Sequence, residues 1–337
     1  IYLYLIFNSY FISENPEALL KALSFIRFIL LSYAIYFYLK IFNKSFLKYW
    51  VIIFFVVSFD ILFEFFVGFN TLGFKSDYIG RIASFTGEEL KIGGFYYGFL
   101  FICLLSFKKR KMFIPLSIIF LLIALAIGER SNFLKIVIMY FVYFMFFENI
   151  SLRKKLVFVV TVFLITLFIA NNSPNLKAKY NFVDILNLDE NVKNIKNENF
   201  VNSIINSNRY LIHYKIAANI LQQNIIFGKG FKTYRIESYN SKYFDESLKF
   251  SLGHGATHPH QLHFEILSEL GLLGYFLIII NLFYLLLRQI NLKKENLTKS
   301  AILFLIATLF PLLPSGSFFT SFTATIFFIN YSFLIKT

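Results

Sequence analysis

Long apolar runs, cut at fairly even intervals by short charged or turn-forming seams, fill most of the chain from its first residue. A helix needs about 20 apolar residues to cross the hydrocarbon of a bilayer, fewer where its flanks snorkel. On that measure ten spans are predicted: 1–12, 19–41, 47–69, 92–107, 112–128, 131–147, 156–170, 263–287, 300–314 and 317–335. The stretch 171–262 breaks the rhythm. Its first part is rich in asparagine (NNSPN, NVKNIKNEN, VNSIINSN) and too polar to enter lipid. From Asn208 apolar positions return at helical spacing (Tyr210, Leu211, Tyr214, Ala217, Ala218, Leu221), with Ser207 in the N-cap place. An amphipathic helix lying against the membrane is predicted there, ended by Gly228-Lys229-Gly230. The expected fold is therefore all-α: a polytopic transmembrane helix bundle of about ten spans with one large, partly helical loop. Residues 1–170 form an N-terminal bundle, 171–262 the loop, and 263–337 the closing helices.

Composition agrees with the pattern. The 337 residues are 57% hydrophobic and 20% aromatic, with 47 phenylalanines and only 15% charged residues; a soluble domain is about a quarter charged. No water-soluble core has room for so many apolar helices. Cys103 is the sole cysteine, which excludes a disulfide within the chain and thiol-pair redox chemistry. Ile1 stands inside an apolar segment without an initiator Met, so the sequence is expected to be a fragment lacking upstream residues.

The formal charge of +14 invites a nucleic-acid reading, but its distribution argues for topology. Alternate connections hold Lys40, Lys44, Lys48, the KKRK at 108–111, Arg153, Lys154, Lys155, Arg288, Lys293, Lys294 and Lys299, and the tail adds Lys336. These fifteen cations face only Glu148 and Glu295. The opposite connections (ISENPEA, FKSDYIGRIASFTGEELK, GER, LLPSGS) are nearly balanced. Short basic loops stay cytoplasmic, so one orientation satisfies every loop and places 171–262 outside. The lysines and arginines anchor the bundle to anionic membrane lipids, and a nucleic-acid partner is excluded.

All five histidines fall in the outer segment or its junction with the next span, four of them in HGATHPHQLH: His254, His258, His260 and His263. Behind them Gln261, Glu265 and Glu269 recur every four residues and share one helix face. Acids near a membrane surface face a cavity or a partner, and an imidazole titrating near neutrality can take a proton from a sugar hydroxyl. The bland reading is that the two glutamates brace neighbouring helices and the histidines are merely interfacial. The spacing H-x3-H-x-H-x2-H matches no known zinc pattern, and HExxH is absent. Arg130 in GER, Arg81 in RIASFTGEEL and Arg209 at the start of the amphipathic helix all lie on the outer side. A guanidinium fork suits an anionic headgroup or a pyrophosphate; simple pairing or snorkelling is the alternative for each. Asp60 and Glu64 share a face within a span, with Arg27 or Lys135 as partners, and they carry the rival reading of a lipid-linked glycan flippase or another transporter. GKGFKT at 228–233 lacks the spacing of a nucleotide loop and is set aside.

Three motifs in order point to one family. THPHQLHFEILSELGLLG resembles the "H-N-x-x-L-x-x-x-x-E-x-G-x-x-G" segment of the bacterial O-antigen ligase/polymerase superfamily. NSNRYLIHYKIAANILQQNIIFGKGFKTY resembles its preceding loop, where an Arg opens a helix and a Gly-x-Gly-aromatic turn follows. ALAIGERSNFL resembles its short Arg-bearing motif. The resemblance implies an inner-membrane enzyme with a periplasmic loop above a cavity. Its donor would be an undecaprenyl-pyrophosphate-linked glycan, and its acceptor lipid A-core or a growing glycan. It implies His260 as base or positioning group and Arg130 and Arg209 on the pyrophosphate, with His258, Gln261, Glu265, Glu269 and Arg81 in support. No cofactor or metal is called for where arginines supply the positive charge. In one departure, Gln261 stands where the family usually has Asn; the amide is kept but reaches further.

Overall fold

The computed structural model describes residues 1–42, 46–107, 111–148, 151, 153, 160, 164, 209–244, 255–290, 295–311 and 313–335. Nearly all of the span expected at 156–170, the asparagine-rich stretch with Ser207, and His254 lie outside these residues. All regular structure among the described residues is helical. Four helices are long and apolar enough to cross a membrane: Ala18–Phe42, Leu47–Val67, Arg130–Phe147 and Leu262–Gln289. Shorter apolar helices run over Ile92–Leu105, Phe113–Ala126, Asn296–Thr308 and Ser321–Ile335. Large apolar side chains stay exposed along single faces of the long helices, among them Ile52, Val56 and Phe59, and Phe276, Ile280, Phe283 and Leu287. In water such faces would aggregate; in hydrocarbon they are solvated. The chain is a helical membrane protein.

Two compact units are present. One comprises Ala34–Asn181, Leu292–Phe310 and Ile329–Thr337. Its centre is α5 (Ile92–Leu105), buried on nearly every side, packed among α4 (Leu47–Val67), α6 (Phe113–Ala126), α7 (Arg130–Val142, with one π turn at Tyr143–Phe147) and α11 (Asn296–Thr308). A helix apolar all round belongs in such a position. Aromatic rings fill the seams: Phe54 packs on Tyr96 and Phe120, and Phe101 on Tyr140 and Tyr143. Asn330 donates to the Gly98 carbonyl at 3.1 Å, and Asn296 to that of Leu105 at 2.8 Å.

The other unit comprises Ile1–Tyr33, Phe182–Asn291 and Pro311–Phe328. It holds α1 (Tyr2–Phe11), α2 (Ala18–Ser24), the start of α3 (Ile26–Phe42), α8 (Arg209–Gln223), α9 (Tyr234–Glu237), α10 (Leu262–Ile290) and the first part of α12 (Ser321–Ile335). The amphipathic helix exists, as α8, but its buried stripe is Ile212, His213, Ile216, Ala217 and Ile220, and Tyr210 is exposed. The expected stripe is displaced by about one residue around the helix, because α8 packs on Phe264 of α10 together with Tyr234 and Tyr243. The span expected at 263–287 is also present, but it breaks at Gly271 (φ 68°, ψ −173°). The break frees backbone groups that must find partners in a dry setting, and the 225–230 turn supplies them. Lys229 and Gly230 amides donate to the Ser268 and Glu269 carbonyls at 2.9 Å, while Leu272 and Leu273 amides donate to Ile225 and Ile226 at 2.9 and 3.1 Å. From the far side Asn8 of α1 clasps the same turn, donating to the Phe227 carbonyl and accepting from the Phe231 amide, both at 2.7 Å. Ser13 and Asn15 then donate to the carbonyls of Phe231 and Lys232.

The spans expected at 300–314 and 317–335 are shorter than their apolar runs. The helices end at Thr308 and restart at Ser321. Pro311 and Pro314 explain this, since each lacks an N–H and disfavours helical geometry in the residue before it. The connector so released lies against the start of α10.

Candidate functional site

The histidine segment enters α10 through a tightly held loop. Ser238 clamps its start, donating to the Ala256 carbonyl at 2.8 Å and accepting from the Ala256 amide at 3.0 Å. At its end His260 adopts a left-handed backbone, φ 56°. Non-glycine residues avoid that region at a cost of about 1–2 kcal/mol, so surrounding contacts must impose it. The Ser315 amide does so, donating to the His260 carbonyl at 2.7 Å. Gln261 adds a second tie, donating to the Pro311 carbonyl and accepting from the Phe264 amide, each at 2.9 Å. Its amide is thereby committed to capping α10 and fixing the connector.

His258 and His260 face each other with ring centroids 4.2 Å apart. His213 and Tyr210 of α8 approach His260 at 5.3 and 5.5 Å. Burial lowers the His260 pKa below the ordinary imidazole value. Burial, then the cationic or titratable neighbours His260, Lys232, His213 and Arg235, push that of His258 down to about 3. Both imidazoles are neutral at pH 7, the form that accepts a proton. Thr257 meets His258 Nδ1 at 3.0 Å, while the buried Nε2 has no hydrogen-bond partner among the described residues. His263 turns away to the Tyr275 hydroxyl, 3.0 Å distant. Among the described residues no three His, Cys, Asp or Glu side chains converge as a metal-binding group.

Glu265 and Glu269 do share a face and are buried, at 1% and 2% exposed. Glu265 accepts from the Ser317 hydroxyl and, at 2.7 Å, from the Phe318 amide. Beside them lies a cation that spacing and composition do not single out. Lys232, 5% exposed, donates to Ser317 at 3.3 Å and sits against the rings of Phe231 and Phe319. Glu265 thus braces the connector, with a buried ammonium nearby. The available sign of its burial was GKGFKT itself, where two glycines flank the turn that enters the α10 break.

Arg130 opens α7, partly buried and without an ion-pair partner among the described residues. Arg209 opens α8. Arg81 meets Glu129, the acid just before Arg130, at 3.7 Å. Glu129 is buried, which raises its pKa, with Arg81 and then a bond from Asn132 opposing. Gly93 leaves it the space, since a Cβ there would overlap the carboxylate.

Asp60 and Glu64 turn out to be loop organisers. Asp60 accepts from the Thr71 amide and hydroxyl at 2.8 and 2.5 Å and from the Ser84 hydroxyl at 2.6 Å. Glu64 accepts from the Ala83 and Ser84 amides at 2.9 and 2.6 Å. Arg27 instead donates to Ser321 at 2.7 Å, and Lys135 lies over the Tyr97 ring. Carboxylates occupied by loop amides and hydroxyls are poor candidates for ion coupling. Removing such an acceptor strands two buried amides, at about 1–3 kcal/mol each. Glu64→Ala is accordingly expected to raise protease cleavage within 68–84 by at least tenfold, read by limited proteolysis in detergent; unchanged cleavage would mean the bonds contribute little.

A family model described as O-antigen ligase matches residues 115–279. The match covers Arg130, Arg209, Lys232, the histidine loop and both glutamates, and leaves out Asp60, Glu64, Arg81 and the 311–320 connector. No curated protein and no solved structure gives a match.

Proposed function

We propose, from the match of an O-antigen ligase family model to residues 115–279, that this chain belongs to the O-antigen ligase/polymerase superfamily and transfers glycan from undecaprenyl pyrophosphate at the periplasmic face of the bacterial inner membrane. In this reading about ten spans carry the segment 171–262 as a periplasmic loop, between an N-terminal bundle (1–170) and the closing helices (263–337). The acceptor is lipid A-core for a ligase and a growing glycan for a polymerase.

The outer face has no ATP, so the energy resides in the donor's phosphate linkage. His260 takes the proton of the acceptor hydroxyl as its oxygen bonds to the anomeric carbon. The bond from that carbon to the phosphate oxygen breaks with inversion, and the polyprenyl pyrophosphate leaves with the electron pair. Arg130 and Arg209 stabilise its developing charge, where one such donor is worth about 2.7–4 kcal/mol. His258, Gln261, Glu265, Glu269 and Arg81 act in support, and no metal or cofactor enters the scheme. The observation that carries the reading is a pair of partly buried imidazoles, 4.2 Å apart, held by a left-handed backbone at His260 where α10 begins.

Glycan profiling of a strain deleted for the chain tests it. Single-repeat glycan on lipid A means polymerase; polymer stranded on undecaprenyl pyrophosphate means ligase; an unchanged profile contradicts both. Arg130→Lys keeps the charge but loses the bidentate fork. The expected result is about a tenfold loss of transfer, on the scale of one weakened transition-state donor; full activity would remove Arg130 from the site.

A further inference from the structure

We propose that Lys232 is a positioning residue for the histidine loop, fastening the 311–320 connector to α10 through Ser317 and so fixing the backbone that seats His260. The inference rests on the transfer reading for its meaning, but its geometry stands alone. Lys232 has a left-handed backbone, φ 62°, and its carbonyl is held by Asn15 at 2.8 Å, so the side chain leaves a rigid turn in one direction. Its ammonium reaches the Ser317 oxygen at 3.3 Å, and the Ser317 hydroxyl reaches Glu265. Two residues before Ser317, the Ser315 amide holds the His260 carbonyl. Phe231 and Phe319 close on each other edge to face at 4.9 Å, shielding the ammonium from water.

The same placement gives Lys232 an electrostatic task. His258 is faced by His260 from its own loop, by His213 from α8, by Lys232 from the turn and by Arg235 from α9, while Tyr210 of α8 lies against His260. Glu265 and Glu269 of α10 face the lysine. In a weakly screened setting a fixed cation opposes protonation of the His258 imidazole. Without it, the uncompensated carboxylates would attract a proton instead.

The test is imidazole titration by NMR of the full chain in detergent, with signals assigned through His258→Gln and His260→Gln. Lys232→Met is expected to raise the apparent pKa of His258 by at least one unit. In Lys232→Met/Glu265→Gln, which removes both charges, the rise should be smaller. If Lys232→Met does not fold, the comparison is between Glu265→Gln and the double variant, with the rise expected in the latter. Identical histidine titration with and without Lys232 overturns the proposal, whatever the transfer assay reads. A shifted titration with no transfer in any variant, the unmodified chain included, would instead count against the functional reading alone.

Discussion

Gly271→Val is expected to leave no correctly folded protein in the membrane. Position 271 has a left-handed φ of 68°, which costs a side-chain-bearing residue about 1–2 kcal/mol and a β-branched one more. Steric overlap adds to that. A Cβ there would run into the Ile226 carbonyl and the Gly228 amide, both main-chain atoms. Gly228 is crowded in return by the backbone of Glu269 and Gly271, so neither strand can withdraw without breaking the bonds that join 225–230 to the α10 break. Four such bonds at about 1 kcal/mol net each, added to the strain, approach the 5–15 kcal/mol that hold a typical domain together. Loss of the monodisperse detergent peak in size-exclusion chromatography, with rapid proteolysis, is the expected readout. A folded, active Gly271→Val protein would mean that the turn and the helix break are not joined as described.

His260→Ala should do the opposite: keep the fold and remove the chemistry. The bond that holds this residue in place is donated by the Ser315 amide to its own carbonyl, and alanine preserves it. What disappears is the imidazole between His258, His213 and Tyr210. A positioned general base contributes about 10²–10⁴-fold, so transfer should fall by at least a hundredfold with thermal stability nearly unchanged. The pH profile of the unmodified chain carries the same information. Because burial lowers the folded pKa of His260 below 6.5, the base form persists through pH 7 and activity should fall only as the pH drops beneath that ordinary value. Stability has the same sign. The unfolded chain binds protons on these histidines at a higher pH than the folded one, so stability is full above about 6.5 and declines on acidification below it.

The helical membrane architecture was legible because apolar runs of spanning length, repeated along one chain, exceed what a water-soluble core can bury. The face of each helix was not. In α8 both sides are apolar enough to pass for the buried one, and only packing on Phe264 selects Ile212, Ile216 and Ile220 over Leu211 and Ala218. Periodicity cannot distinguish a lipid-facing stripe from a protein-facing one. The shared face of Gln261, Glu265 and Glu269 could be read from spacing alone. What they touch could not, since Pro311, Ser317 and Lys232 reach them from distant segments. Lys232 is hidden for the same reason: a lysine between two turns looks solvated until the turn is seen to fill the break at Gly271. Asp60 and Glu64 resemble a transport pair because an acid in a span must have a partner, and the partners prove to be loop amides and hydroxyls rather than cations.

The most direct measurement is release of polyprenyl pyrophosphate by the purified chain in lipid nanodiscs, supplied with a lipid-linked glycan donor and an acceptor. Acceptor-dependent release from the unmodified protein, reduced at least a hundredfold by His260→Ala in an equally folded variant, is the predicted result. Equal release by both proteins would contradict a transfer reaction run by His260.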